Sequence, residues 1–102
     1  MTLIGHDVLH RAGRQNAPLR KRLTIWAATV ENRIWHNLND VRKDYPSADG
    51  VKLKSKVVVT VFNVKGHGYR LLTSIDYDAG IVEALDVLTR AEYDKDLWKE
   101  RY

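Results

Sequence analysis

The sequence predicts an α+β domain, with N-terminal helices packed on a small antiparallel β-sheet and a short C-terminal helix. Three observations carry that prediction. Apolar residues recur at helical spacing as far as residue 34, a β-branched and aromatic run replaces that period from residue 56, and two more strand-like runs follow after tight turns. Helices come first and the strands then follow one another, so the order is not the alternation of a parallel sheet but that of a meander. A chain of 102 residues has room for one hydrophobic core, and a single domain over 1–102 is expected.

Taken in order, Thr2–Ile4 reads as a short edge strand and His6–Arg14 as a helix ending near Gly13–Asn16. The second helix is clearer: Pro18 suits a first turn, and Leu19, Leu23, Trp26, Val30 and Ile34 form one apolar stripe. Between Trp35 and Tyr45 lies another short helical piece, with Asn37 or Asn39 as its N-cap and Pro46 as its stop. Lys56–Val64 (KVVVTVFNV) is expected to be a strand buried on both faces. Lys65-Gly66-His67-Gly68 connects it tightly to a strand over Tyr69–Tyr77, which alternates Tyr69, Leu71, Thr73, Ile75 and Tyr77 against Arg70, Leu72, Ser74 and Asp76. Asp78-Ala79-Gly80 makes the next turn and Ile81–Leu88 the third strand. Thr89 and Glu92 then have the spacing of a capping box at the start of the last helix.

Composition excludes several classes. No stretch approaches the roughly 20 apolar residues of a membrane span, and Met1–His10 carries charge and two histidines with no continuous apolar run, unlike a signal peptide, so a soluble cytoplasmic protein without a membrane partner is expected. Without cysteine there is no disulfide, thiol nucleophile or thiolate-bound zinc. The net charge of +4 is unevenly spread. Residues 1–30 carry five Lys/Arg against Asp7, residues 33–70 carry eight against three Asp, and from Asp76 onward eight acids face four bases. Such a basic first two-thirds suits a polyanion, RNA or DNA, although an acidic protein would serve equally.

The common catalytic devices are missing: no GxSxG elbow, no Walker loop and no HExxH are present. His6 and His10 share a helix face but suggest no third metal ligand, so no metal or cofactor is expected. The KGHG turn joins two strands rather than opening a helix, so it is no dinucleotide loop. Trp26, Trp35, Phe62 and Tyr69 read as core in preference to base-stacking platforms. The informative set is Lys65, His67, Arg70, Arg90, Tyr93 and Lys95, which meander topology can bring to one rim. Cations there can hold a phosphate, and a phenol can stack on a base or donate a proton. The competing explanation makes Arg70 and Arg90 ordinary ion-pair partners of Asp76, Asp86 or Asp94.

Two long motifs identify a family. Val61-Phe62-Asn63-Val64-Lys65-Gly66-His67-Gly68-Tyr69-Arg70-Leu71 resembles a "VFNIKGNKYRL" segment, and Thr89-Arg90-Ala91-Glu92-Tyr93-Asp94-Lys95 resembles a "THAEYDK" ending, with Trp98-Lys99 following. Leu19, Trp26, Trp35, Asp40-Val41 and Tyr45-Pro46-Ser47-Ala48-Asp49 fall at the same family's spacing. The resemblance is to HigB-type toxins of the RelE superfamily, over nearly the whole chain in one register. It implies a RelE-like fold and a metal-independent, ribosome-dependent endoribonuclease that cuts mRNA under translation, with rRNA contacts. It also implies a HigA-type helix-turn-helix antitoxin, and contact with DNA only through the antitoxin complex. On that basis Lys65, Arg70, Arg90 and Tyr93 are the expected catalytic residues, and Asn63, His67 and Lys95 the expected RNA contacts. One position departs: Arg90 stands where the family often has His, and an arginine cannot act as a general base.

Overall fold

In the computed structural model, residues 1–14, 16–65 and 68–102 are described. The elements run β1 (Thr2–Ile4), α1 (His6–Gly13), α2 (Ala17–Glu31), α3 (Leu38–Asp44), β2 (Asp49–Lys52), β3 (Val58–Val64), β4 (Tyr69–Asp76), β5 (Ile81–Thr89) and α4 (Arg90–Asp94), closing with a 3-10 turn at Leu97–Glu100. The expected meander is present as β3–β4–β5, and two strands extend it. The sheet order is β1-β5-β4-β3-β2, with β2 antiparallel to β3 and β1 parallel to β5. The sheet is therefore mixed, where the sequence predicts an antiparallel one. β1 reaches its parallel position because α1 and α2 intervene between it and the meander, while β2, Asp-Gly-Val-Lys, lacks any β-branched run to reveal it.

β3 is buried on both faces, as its composition predicts, because each face of the sheet has its own cover. On one face Phe62 and Val64 join Leu71, Val82 and Ala84 beneath Leu9, Leu19, Leu23, Trp26 and Val30 of the helices. On the other, Val59, Val61, Leu72 and Leu88 are covered by Leu53 and Trp98, with Tyr93 and Tyr102 packed alongside. The alternation along β4 is as expected, but β5 changes phase. Leu72 pairs with Asp86 and Thr73 with Ala84, so Leu85 is an extra residue on β5. That bulge moves the helix-facing set from Val82 and Ala84 to Val87.

Helix ends follow local chemistry. Asn16 caps α2 by accepting the Leu19 N–H at 3.0 Å, and Asn37, one of the two candidates, caps α3 by accepting from Asp40 N–H at 3.0 Å. α2 stops at Glu31, so Ile34 leaves the predicted stripe and is 77% exposed. Trp35 takes the core place instead, stacked near Phe62 at 6.2 Å between centroids. Gly5, at φ 88°, joins β1 to α1 so closely that a Cβ there would lie 2.5 Å from the Ala84 carbonyl oxygen.

The Trp35 indole N–H donates to Asp44 Oδ2 at 3.0 Å. That bond, followed by the Arg33 guanidinium, holds the Asp44 carboxyl below its ordinary value. Asp44→Ala is expected to cost about 1–3 kcal/mol in denaturant unfolding, since it strands a largely buried N–H. The folded carboxyl lies below its unfolded value near 3.9, so this contribution is complete at neutral pH and is lost as pH falls through the folded value. The gap between wild type and Asp44→Ala should therefore narrow in acid; a gap that widens below about pH 4 would contradict the assignment.

Candidate nucleic-acid interface

Strand pairing gathers the ends of β3, β4 and β5 at one rim. Asn63 pairs with Arg70, Arg70 with Leu88, and Tyr69 with both Val64 and Thr89. The Gly68 carbonyl accepts the Arg90 N–H at 3.0 Å, which ties the β3–β4 connection to the start of α4. The capping box forms: Glu92 N–H donates to Thr89 Oγ1 at 3.2 Å, and Thr89 N–H donates to Glu92 Oε1 at 2.9 Å. Accepting that N–H holds the Glu92 carboxyl below its ordinary value, with the Lys95 charge as a lesser contribution.

α4 delivers Tyr93 to the sheet face that carries Leu72 and Leu88. Strand alternation places Asn63 and Arg70 on that same face. The Arg70 guanidinium lies over the Tyr93 ring, 5.8 Å from its centroid, and its Nη1 donates to the Tyr69 carbonyl at 3.1 Å. Tyr93 also stacks on Trp98 at 5.3 Å and 16°. Burial pushes the Tyr93 phenol above its ordinary value near 10, aided by the Asp49 charge and opposed by Lys99 and Arg70. At neutral pH the phenol is therefore a hydrogen-bond donor and not a base.

The other expected residues are arranged differently. Lys65, at φ 53°, leans toward the helical side, with its ammonium 5.8 Å from the Tyr69 ring centroid and 3.5 Å from Asn16 Oδ1. Asn16 Nδ2 donates in turn to the Tyr69 hydroxyl at 3.2 Å, so the cap of α2 also holds the lysine. Arg70 and Lys65 consequently flank the β3–β4 hairpin from opposite faces of the sheet. Arg90 is fixed by its backbone, while its exposed side chain approaches Asp94 at 3.8 Å. That is one of the ion pairs the competing explanation anticipates; an exposed pair of this kind contributes about 0–1 kcal/mol, so Asp94→Ala should leave stability within about 0.5 kcal/mol of wild type. Asp86 instead pairs with Arg101 at 3.2 Å, and Asp76 accepts the Ala79 N–H at 3.0 Å. Lys95 is exposed beside Glu92. His67 lies outside the described residues.

Trp26, Trp35 and Phe62 are buried as expected, and Tyr69 is half-buried against the same core. His6 Nε2 sits 3.4 Å from Glu31 Oε1, and among the described residues no three His, Asp or Glu side chains group as metal ligands. No described helix is long and apolar enough to cross a membrane. Sequence reasoning missed two contributors, Asn16 and Trp98. Asn16 reads there only as a loop residue, though its place just before Pro18 marks an N-cap. Trp98 enters there only as the residue that follows the second motif, with no part assigned to it at the site.

The family model HigB_toxin, described as the RelE-like toxic component of a toxin–antitoxin system, matches residues 19–96. No curated protein matches the chain.

Proposed function

Because the chain belongs to the HigB_toxin family of RelE-like toxins of toxin–antitoxin systems, we propose that it is a ribosome-dependent endoribonuclease that cuts mRNA during translation. The observation that carries this reading is Arg70, held over Tyr93 and aligned with Asn63 at a basic rim. A guanidinium offers paired N–H donors in a plane, the geometry that two phosphate oxygens require. Family membership implies an antitoxin partner. The finer proposal is a HigA-type helix-turn-helix protein, with DNA reached only through that complex, in the cytoplasm.

The reaction is a transesterification. The ribose 2′-oxygen bonds to the adjacent phosphorus, the bond from phosphorus to the 5′-oxygen breaks, and the products are a 2′,3′-cyclic phosphate and a 5′-hydroxyl. The 2′-hydroxyl proton leaves to water, and the departing 5′-oxygen takes one. Arg70 offsets the charge that builds on the phosphorane, and Arg90 adds a second permanent cation from the start of α4. Tyr93 orients the 2′-hydroxyl through its own O–H. Lys65, on the far side of the hairpin, neutralises a neighbouring phosphate. Asn63, His67 and Lys95 contact RNA around them. No metal is assigned a part in these steps.

The test is a reconstituted translation system with mRNA 5′ ends mapped by primer extension. Cuts inside codons that require translating ribosomes support the reading; their absence with folded protein rejects it. Tyr93→Phe keeps the ring and loses the hydroxyl, so cleavage should fall about 10- to 150-fold, the equivalent of one hydrogen bond to a charged group at about 1.5–3 kcal/mol. Full activity in Tyr93→Phe would remove the hydroxyl from the mechanism and leave only the ring. A second reading, a ribosome binder that does not cut, is favoured by Arg90 alone, since it replaces a titratable histidine with a permanent cation. Ribosome co-sedimentation without cleavage, restored to cleavage by Arg90→His, would select it.

A further inference from the structure

We propose that Trp98 is a positioning residue of this site, fixing through the Tyr93 ring the place of the Arg70 guanidinium. The inference rests on the nuclease reading for its consequence but not for its geometry. α4 has five residues, too few to be stable as a helix alone, and Tyr93 stands in its last turn. The capping box secures the front of α4, while at its far end the Tyr93 carbonyl accepts the Lys95 and Asp96 N–H groups, bonds within the turn that do not tie it to the sheet. Trp98 restrains that end twice. Its ring stacks nearly parallel to that of Tyr93, at 5.3 Å and 16°, and its indole N–H donates to the Tyr93 carbonyl at 3.1 Å. Between them, Asp96 takes a left-handed conformation at φ 62°, which turns the chain back so that Trp98 can reach Tyr93.

Trp98 is itself deeply buried. It is 1% exposed and packed with Val59, Val61, Leu72 and Leu88 of the sheet, on the strands that also carry Asn63, Arg70 and Thr89. Sheet, indole, phenol ring and guanidinium thus form one continuous series of contacts. Arg70 starts from the sheet and meets at its far end a ring positioned from the same sheet. A core plug would fill the space beneath α4 without any of this order; the parallel stack and the bond to the Tyr93 main chain are what single out a positioning role.

The decisive variants are Trp98→Leu, which keeps an apolar filler and removes the stack, and Trp98→Phe, which keeps a flat ring. Trp98→Leu should fold with lowered thermal stability, lose the nuclear Overhauser contacts between the Arg70 side chain and the Tyr93 ring, and lower cleavage about 10- to 100-fold at saturating ribosomes. Trp98→Phe should keep those contacts and stay within about threefold of wild-type cleavage, since the aromatic stack persists. In a Tyr93→Ala background, Trp98→Leu should cost nothing further, because its route to Arg70 is already gone. The proposal is overturned if the Arg70–Tyr93 contacts survive in Trp98→Leu, or if the two losses multiply as independent structural defects would. It is also overturned if Trp98→Phe loses as much cleavage as Trp98→Leu. Should Trp98→Leu not fold, Trp98→Phe and its Arg70–Tyr93 contacts decide alone. Should the wild type cut no mRNA, the nuclease reading fails, while the nuclear Overhauser contacts still decide whether Trp98 holds the pair.

Discussion

Arg70→Ala is expected to lower translation-dependent mRNA cleavage about 10²–10³-fold, the loss typical when one preorganised donor to a developing oxyanion is removed. Position makes this the largest functional effect on the chain. Arg70 is half-buried, its Nη1 is anchored on the Tyr69 carbonyl at 3.1 Å, and its guanidinium rests over Tyr93. A cation held this way undergoes little reorganisation as charge grows on the phosphate, whereas a lysine swinging freely in water would have to be ordered first. Arg70→Lys keeps the charge and loses the planar fork, so it should fall between wild type and alanine. Growth inhibition on induced expression gives the cellular readout. Well-expressed Arg70→Ala that inhibits growth as strongly as wild type would sink the assignment. Lys65→Ala should lose less, because its ammonium lies on the helical side, held by Asn16 and Tyr69.

Much of the fold is legible in the chain because its signals are local. Pro18 and the Leu19-Leu23-Trp26-Val30 stripe specify α2, and the Thr89…Glu92 pair specifies the start of α4 in four residues. What the sequence hides is non-local. β2 gains its strand character from β3 beside it, and β1 can be placed parallel to β5 only once the helices have returned the chain. The bulge at Leu85 cannot be read from Ile81–Thr89, where apolar residues suit either phase. The site divides in the same way. Asn63 and Arg70 are seven apart and become neighbours by hairpin register, which turn spacing anticipates. Lys65 looks equivalent to Arg70 in sequence, yet the hairpin sends it to the opposite face, where an asparagine 49 residues earlier receives it. Tyr93 is recognisable from its motif, but its raised phenol and its indole neighbour depend on how the chain closes after Asp96.

Phe62→Ala is the substitution with the largest expected cost to folding, about 3–5 kcal/mol. Phe62 is fully buried on β3 and meets three aromatic rings: Trp26 and Tyr45 edge-on, each at 5.3 Å, and Trp35 at 6.2 Å. Those partners come from α2, from the segment after it and from the end of α3, so one ring joins the helical layer to the sheet. Truncation forfeits the transfer energy of the ring, leaves a cavity, and removes aromatic pairs each contributing about 0.5–1.5 kcal/mol beyond area. Against a total stability of about 5–15 kcal/mol, that loss removes a large share of the margin, with Tm falling about 15–30 °C. Phe62 also precedes Asn63 on the same strand, yet points to the opposite face, into the cluster beneath the helices. Its effect on cleavage should therefore follow the folded fraction and recover on cooling, whereas the loss in Arg70→Ala should persist at every temperature where that protein is folded. A Phe62→Ala protein within about 1 kcal/mol of wild type would mean that the helical layer closes over the gap, and that Trp26 and Trp35 hold the two layers together without it.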